Sequence, residues 1–221
     1  MQAVIATPAS ATAAPTVQAH KITIGQRIYA AGTEGIAWRV KSGAVRLDRI
    51  TGEGRSFAGL ALQGDVIGAE TLLFGQYSFE ACAIADCELE PWLSADKAPS
   101  GESLLRTLAA AERRAADVLA LRAGEAFERV RQLCLLLARE RDDGRREIAI
   151  PGLKDMAAIT NLTEVTVSRA MSHLRRTGLL QRHGRRLGHP RLHLRSKKNL
   201  PSPDQPSVGA RRGAGGEGGS E

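Results

Sequence analysis

The chain has 221 residues, 43% of them hydrophobic, with 31 Lys and Arg against 24 Asp and Glu for a formal net charge of +7. That length accommodates two domains with sizeable cores, and no apolar run is long enough for a membrane span. Its cysteines, Cys82, Cys87 and Cys134, are odd in number and form no Cys-x-x-Cys pair. Neither a disulfide framework nor a four-thiolate cluster is expected, and the expected compartment is a reducing cytoplasm.

Residues 1–20 are mostly Ala, Thr, Pro and Val with almost no charge. They lack a basic n-region and an apolar run of signal-peptide length, and are expected to be a disordered lead. Residues 21–100 hold 8 basic and 10 acidic side chains and read as short strands between recurrent glycines. Strand-like pieces lie at 22–24, 36–40, 44–50, 57–62, 79–85 and 88–92, and Val45 and Leu47 alternate with Arg46 and Asp48. Short strands at this spacing predict a β-sandwich or roll, with Thr51-Gly52-Glu53-Gly54 as a hairpin tip.

Residues 101–140 are predicted helical. Leu104, Leu108, Ala111, Ala115 and Val118 step by four and three, an a/d seam whose alanines permit close helix approach. This is the expected dimer interface; packing on the chain's own β domain is the other use for such a face. Phe127, Val130, Leu133, Cys134 and Leu137 form a second apolar stripe in a linker helix. An exposed charged turn is expected at 142–147, a short strand at 148–150, and a hinge between domains near 140–151.

Residues 151–195 hold 9 basic and 2 acidic side chains, an excess equal to the whole net charge. A basic segment beside a near-neutral domain implies a polyanionic partner, and arginine suits phosphate and guanine. Leu153, Met156, Ala157 and Ile159 give a first helix its apolar side. Thr160-Asn161-Leu162 makes a turn in which Asn161 tolerates a left-handed conformation, and Thr163 is a good N-cap. Val167, Ala170, Met171 and Leu174 face a core from the second helix. The opposite face carries Glu164, Val165, Ser168, Arg169 and Ser172, and Gly178 ends the helix. Residues 179–187 predict a two-stranded wing with a basic tip.

This helix-turn-helix order selects double-stranded DNA as the partner, not a membrane. Glu164, Val165, Ser168 and Arg169 are the candidate base contacts. Arg169 would fork onto guanine O6 and N7, Val165 would meet a thymine methyl, and Glu164 would accept from cytosine N4. Thr163, Thr166, Ser172, Arg175, Arg182, Arg185 and Arg186 are the candidate backbone contacts. A generic helical hairpin with a solvated basic face is the plain alternative. Residues 196–221 lack the apolar content to fold and are expected to be a disordered tail, with Lys197 and Lys198 as weak phosphate contacts.

No Gly-rich phosphate loop, metal-ligand spacing or nucleophile elbow is present, so no catalytic or metal site is assigned. His183, His189 and His193 fall in the basic end and are read as wing and tail residues. An architectural, weakly sequence-selective DNA-binding protein is the competing binding class. Such a protein would bind random duplex almost as well as a palindrome.

The run Thr163-Glu164-Val165-Thr166-Val167-Ser168-Arg169 resembles the recognition helix of the Crp/Fnr family of bacterial transcription regulators. Arg169 stands where that family places its base-reading arginine. The Val-Thr-Val-x-Arg pattern is most similar to the family's cyanobacterial nitrogen-regulator branch, which carries Arg where Glu164 stands. Gly25-Gln26-Arg27-Ile28-Tyr29, Ser42-Gly43-Ala44-Val45-Arg46-Leu47 and Gly64-Asp65-Val66-Ile67-Gly68 resemble elements of the family's sensory β-roll. The likeness covers roughly residues 21–194.

It implies an α+β fold: an N-terminal β-roll (cyclic-nucleotide-binding-like) sensor domain over 21–100, dimerisation and linker helices over 101–140, and a C-terminal winged helix-turn-helix over 141–195. It also implies a homodimer on a palindromic operator, with RNA polymerase as a partner if the protein is an activator. In cyclic-nucleotide-binding members, a Glu after the second glycine of the Gly-Asp-x-x-Gly element holds the ribose, and an Arg-Ser/Thr pair clamps the phosphate. Here Gly68, Ala69, Glu70, Tyr77 and Ser78 mark the candidate effector pocket, with Ala69 at the Glu position and Tyr77 at the Arg position. No Arg or Lys lies between Asp65 and Pro91, so neither cAMP nor cGMP is expected to bind, and no cofactor is assigned. The nitrogen-regulator branch's 2-oxoglutarate is a dianion that meets the same shortage of cations; Arg106 and Arg113 on the dimer helix are the candidates to supply one.

Overall fold

The computed structural model describes residues 19–92, 100–140, 146–182 and 191–194. Eight short strands build the N-terminal domain: β1 (His20–Ile22), β2 (Arg27–Tyr29), β3 (Trp38–Ser42), β4 (Ala44–Thr51), β5 (Gly54–Leu62), β6 (Val66–Ile67), β7 (Glu80–Ala83) and β8 (Cys87–Pro91). They pair antiparallel in two four-stranded sheets, ordered β1-β8-β3-β6 and β2-β7-β4-β5. The longest ladder joins β4 and β5 and closes at Thr51 and Gly54, the predicted hairpin tip.

The alternation along β4 sorts its side chains. Val45 is buried between the sheets with Val40, Ala61, Ile67, Ala81 and Leu89. Arg46 and Asp48 point the other way, yet they too are buried, because the C-terminal part of the chain packs on that face.

Tyr77 belongs to the core between the sheets. Its ring stacks on Tyr29 with centroids 3.7 Å apart. Its hydroxyl accepts from the Ile36 N–H at 3.0 Å and the Trp38 indole N–H at 3.3 Å, and donates to the Ile36 carbonyl at 2.8 Å. Two glycines make room for it: a Cβ on Gly35 would lie 2.2 Å from the Tyr77 hydroxyl, and one on Gly68 would lie 2.5 Å from the ring. Gly68 also has φ +71°. Gly68→Ala therefore overpacks the ring and strains the backbone at once. It is expected to lower the unfolding free energy by about 1–3 kcal/mol, read as a shifted urea midpoint. An unchanged midpoint would mean that the Tyr77 ring is free to move aside.

Between β6 and β7 lies a helix, α1 (Thr71–Phe74), whose four residues are too few for periodicity to reveal. Leu72, Leu73 and Phe74 on it are exposed. Two longer helices follow, α2 (Gly101–Ala120), capped by the Ser100 hydroxyl, and α3 (Ala126–Leu137). The break between them contains Gly124 at φ +84°. Arg114 pins α2 to the Gly64-Asp65 turn through Asp65, 2.8 Å away.

The remaining elements are β9 (Arg139–Glu140), β10 (Arg146–Ala149), α4 (Leu153–Thr160), α5 (Glu164–Arg176), β11 (Leu180–Arg182) and β12 (Arg191–Leu194). Their sheet is ordered β11-β12-β10-β9. The strand that pairs with β11 is β12, at 191–194, while the expected return strand at 185–187 lies outside the described residues. The Arg-Leu-His-Leu alternation of β12 pairs with β10 as well as β11, through Ile148 to Leu192 and Arg182 to Leu192, and a strand serving two neighbours is favoured over one serving one. The expected turn at 142–147 falls partly outside the described residues, the expected lead at 1–20 all but its last two residues, of which His20 opens β1, and the expected tail at 196–221 wholly.

One apolar core runs from Ala44 and Leu60 of the roll, past Val118 and Leu121 of α2, into Leu133, Cys134, Met156, Ile159, Val167, Met171 and Leu174. α3 packs on both α4 and α5, so the expected linker helix is built into the core of the C-terminal domain. Burial pushes the Cys134 thiol up to about 12 and Cys87 up to about 11. Cys82 is half-buried on the outer face of the roll.

Candidate nucleic-acid interface

The turn between α4 and α5 is made by local chemistry. Asn161 ends α4 in the left-handed region, at φ 53° and ψ 49°, and is the only non-glycine residue with positive φ among those described. Asn pays less than most side chains for that conformation. Thr163 then caps α5: its hydroxyl accepts from the Thr166 N–H at 3.2 Å and lies 2.9 Å from the Thr166 hydroxyl. Glu164 in the first turn and His173, Arg175 and Arg176 in the last complement the helix dipole.

The two faces of α5 separate cleanly. Val167, Ala170, Met171 and Leu174 are buried. Glu164, Val165, Ser168, Arg169, Ser172 and Arg175 are exposed together on the other side, and Thr166 is half-buried at its edge. Val165 is 60% exposed. An isolated exposed valine needs no explanation, but one set beside an arginine fork suits a surface that meets base edges. Arg169 is exposed and makes no hydrogen bond or ion pair with any described residue. Arg182 lies on β11, and Arg185 and Arg186 lie outside the described residues.

Four of the five seam residues of α2 are open to solvent: Leu104, Leu108, Ala111 and Ala115. Val118, expected on the seam, is instead turned into the chain's own core at 9% exposure. A strict heptad count placed it on the seam, whereas a 3.6-residue helix drifts away from that line. Leu119, 72% exposed, takes its place on the open face, and Leu105 at 68% borders it. Both leucines were missed because they fall off the four-three spacing.

The candidate effector residues are brought close together but are occupied with one another. Gly68 lies under the Tyr77 ring. Ala69 and Glu70 are half-buried and Ser78 is exposed. The Glu70 carboxylate accepts from the Ser78 N–H at 3.1 Å, so a backbone donor that a bound anion would use already serves an acid. No group of three or more His, Cys, Asp or Glu among the described residues is placed to hold a metal. No helix among them is long and apolar enough to cross a membrane.

A capped helix-turn-helix with a β-ribbon beside it, on a β-roll and a long helix, defines a class: a winged helix-turn-helix joined to a β-roll domain. Residues 128–193 match the model of the Crp-like helix-turn-helix domain. The structure of FixK2 from Bradyrhizobium japonicum is similar, at 26% identity and TM-score 0.63 over 83% of this chain and 94% of that one. A CRP-family transcriptional regulator from Thermus thermophilus is similar at 25% identity and TM-score 0.58, over 79% and 91%. A CRP/FNR-family regulator from the same organism follows at 26% and 0.52, over 82% and 95%. No curated protein matches the sequence. The chain thus has the α+β architecture of the Crp/Fnr regulators and carries a Crp-like DNA-binding domain.

Proposed function

We propose that this chain is a sequence-specific transcription regulator that binds a palindromic operator as a homodimer, in the cytoplasm and without a cyclic nucleotide. The observation that carries the reading is the open face of α5, where Arg169, without a partner among the described residues, stands among Glu164, Val165 and Ser168. Self-association is supported by α2, whose exposed Leu104, Leu108, Ala111 and Ala115 form an apolar stripe on a helix already packed along another face. Two-fold symmetry sets the half-site centres about 10 bp apart. The likeness of 163–169 to the nitrogen-regulator branch makes a GTA…TAC-type palindrome the first to try. As an activator the dimer would also meet RNA polymerase.

Selection of bound sequences from a random duplex pool, with and without candidate metabolites, tests this reading. Enrichment of a palindrome at that spacing is the expected result. Recovery of unenriched sequence would favour an architectural DNA-binding protein.

The roll is proposed to bind neither cAMP nor cGMP. Tyr77 stands where a phosphate clamp needs a guanidinium, and Glu70 sits on the Ser78 N–H. Charge-assisted bonds to phosphate contribute about 1.5–3 kcal/mol each, so losing the clamp costs about a hundredfold or more in affinity. Calorimetric titration of the purified protein should show no binding of cAMP at micromolar concentration; saturation there would overturn the proposal.

A further inference from the structure

The DNA-reading head does more than follow α2 in sequence: it is bolted to the roll. On β4, the buried Arg46 donates from Nε to both Asp48 oxygens, at 2.9 and 3.0 Å, and its Nη2 lies 2.9 Å from Oδ2 as an ion pair. Asp48 has no exposed surface. These bonds leave Nη1 aimed outward, where it meets Asp155 Oδ1 at 2.7 Å. Asp155 lies in the first turn of α4. Behind this pair, Arg55 stands 3.7 Å from Asp48 and pairs with Glu80, which also meets Arg27 at 3.5 Å. A chain of alternating charges thus crosses the sheet β2-β7-β4-β5 and ends on the head. At the far end of α4, Arg129 of α3 donates to the Thr160 carbonyl at 3.4 Å and to the Gly124 carbonyl at 2.8 Å.

An apolar contact between β5 and α4 would hold the two domains together at least as firmly as an ion pair, whose desolvation cost offsets much of its attraction. What a planar guanidinium adds is direction, because its fork accepts a carboxylate only along fixed lines. Asp48 locks the fork, the fork locks α4, and α4 carries α5 through the shared core of Met156, Ile159, Val167 and Met171. We propose that Arg46, acting through Asp155, is a positioning residue that sets the angle of the DNA-reading helix relative to α2. The proposal rests on the DNA-binding reading above.

The charge of Asp155 makes the test discriminating. Asp155→Ala removes an acid from a basic head, so electrostatics alone predicts tighter binding to every duplex. Positioning predicts the opposite for the selected palindrome: full-length Asp155→Ala should bind it about tenfold more weakly, while random duplex of the same length is bound equally or more tightly. Asp155→Glu, which keeps the acid in the first turn, should recover most of the loss. Equal or tighter binding of the palindrome by Asp155→Ala overturns the proposal. So does a parallel loss on both duplexes with a fallen thermal midpoint, which would mark general destabilisation.

A measurement without DNA separates this idea from the functional reading. Spin labels at Ser56 on β5 and Ser172 on α5, with Cys82 replaced by Ser, should give a narrow distance distribution that broadens in Asp155→Ala. Equal widths overturn the positioning role. Broadening in Asp155→Ala together with a wild-type chain that prefers no palindrome would instead defeat the functional reading alone.

Discussion

Arg169→Ala is expected to remove about 1–3 kcal/mol of discrimination between the operator and random duplex, the share that one bidentate guanine contact supplies. The fold should not notice. Arg169 is exposed on α5 and bonds to no described residue, so its loss leaves no buried group unsatisfied. Thermal stability should stay within about 0.5 kcal/mol of wild type, as for an ordinary surface change. Competition binding at one fixed salt concentration gives the ratio directly. An unchanged ratio of specific to random affinity would remove Arg169 from the reading head. Loss of charge along the wing should behave differently. Loss of Arg185 or Arg186, which are expected to meet phosphate, should weaken all sequences alike and lower the salt slope by about one per residue.

The second large effect belongs to α2. Leu108→Glu combined with Ala111→Glu places two acids on the open stripe and should leave a folded monomer, since Leu108 is 56% exposed and Ala111 is exposed. Like charges would then face each other across the two-fold axis. Each head would be reduced to half-site binding, and the avidity of two linked sites would be lost. Linkage of that kind raises affinity by about 10²–10⁴, so operator binding should fall by a hundredfold or more while random-duplex binding falls less. Sedimentation equilibrium and operator titration on one preparation check both halves of the claim. A wild-type chain that is monomeric and still binds single half-sites tightly would remove the dimer model.

How legible was this protein? The helix-turn-helix was plain in the sequence. Its signals act over three or four residues: Asn161 at a left-handed turn, Thr163 as a cap, and Val167, Ala170, Met171 and Leu174 on one side of a helix. Any helix built from 164–176 must present Arg169 and Val165 opposite that stripe, so the exposed face followed from period alone. The hairpin tip at 51–54 was legible for the same reason. The α1 helix was not, because four residues carry no measurable period.

Contacts made at long range were decided by the tertiary structure alone. Both faces of α2 carry apolar residues, and the heptad count could not tell that Val118 turns into the chain's own core while Leu119 faces out. Tyr77 stood at a clamp position in the sequence, but only folding sets it against Gly35, Gly68 and Tyr29. Arg46 reads in the sequence only as the polar half of an alternation with Val45 and Leu47; its partner Asp155 is 109 positions away. Local spacing determines which side chains share a face, because backbone geometry repeats every two or 3.6 residues. Which element covers that face is settled by the packing of the whole chain, where a buried charge must find its partner and a ring must find its space.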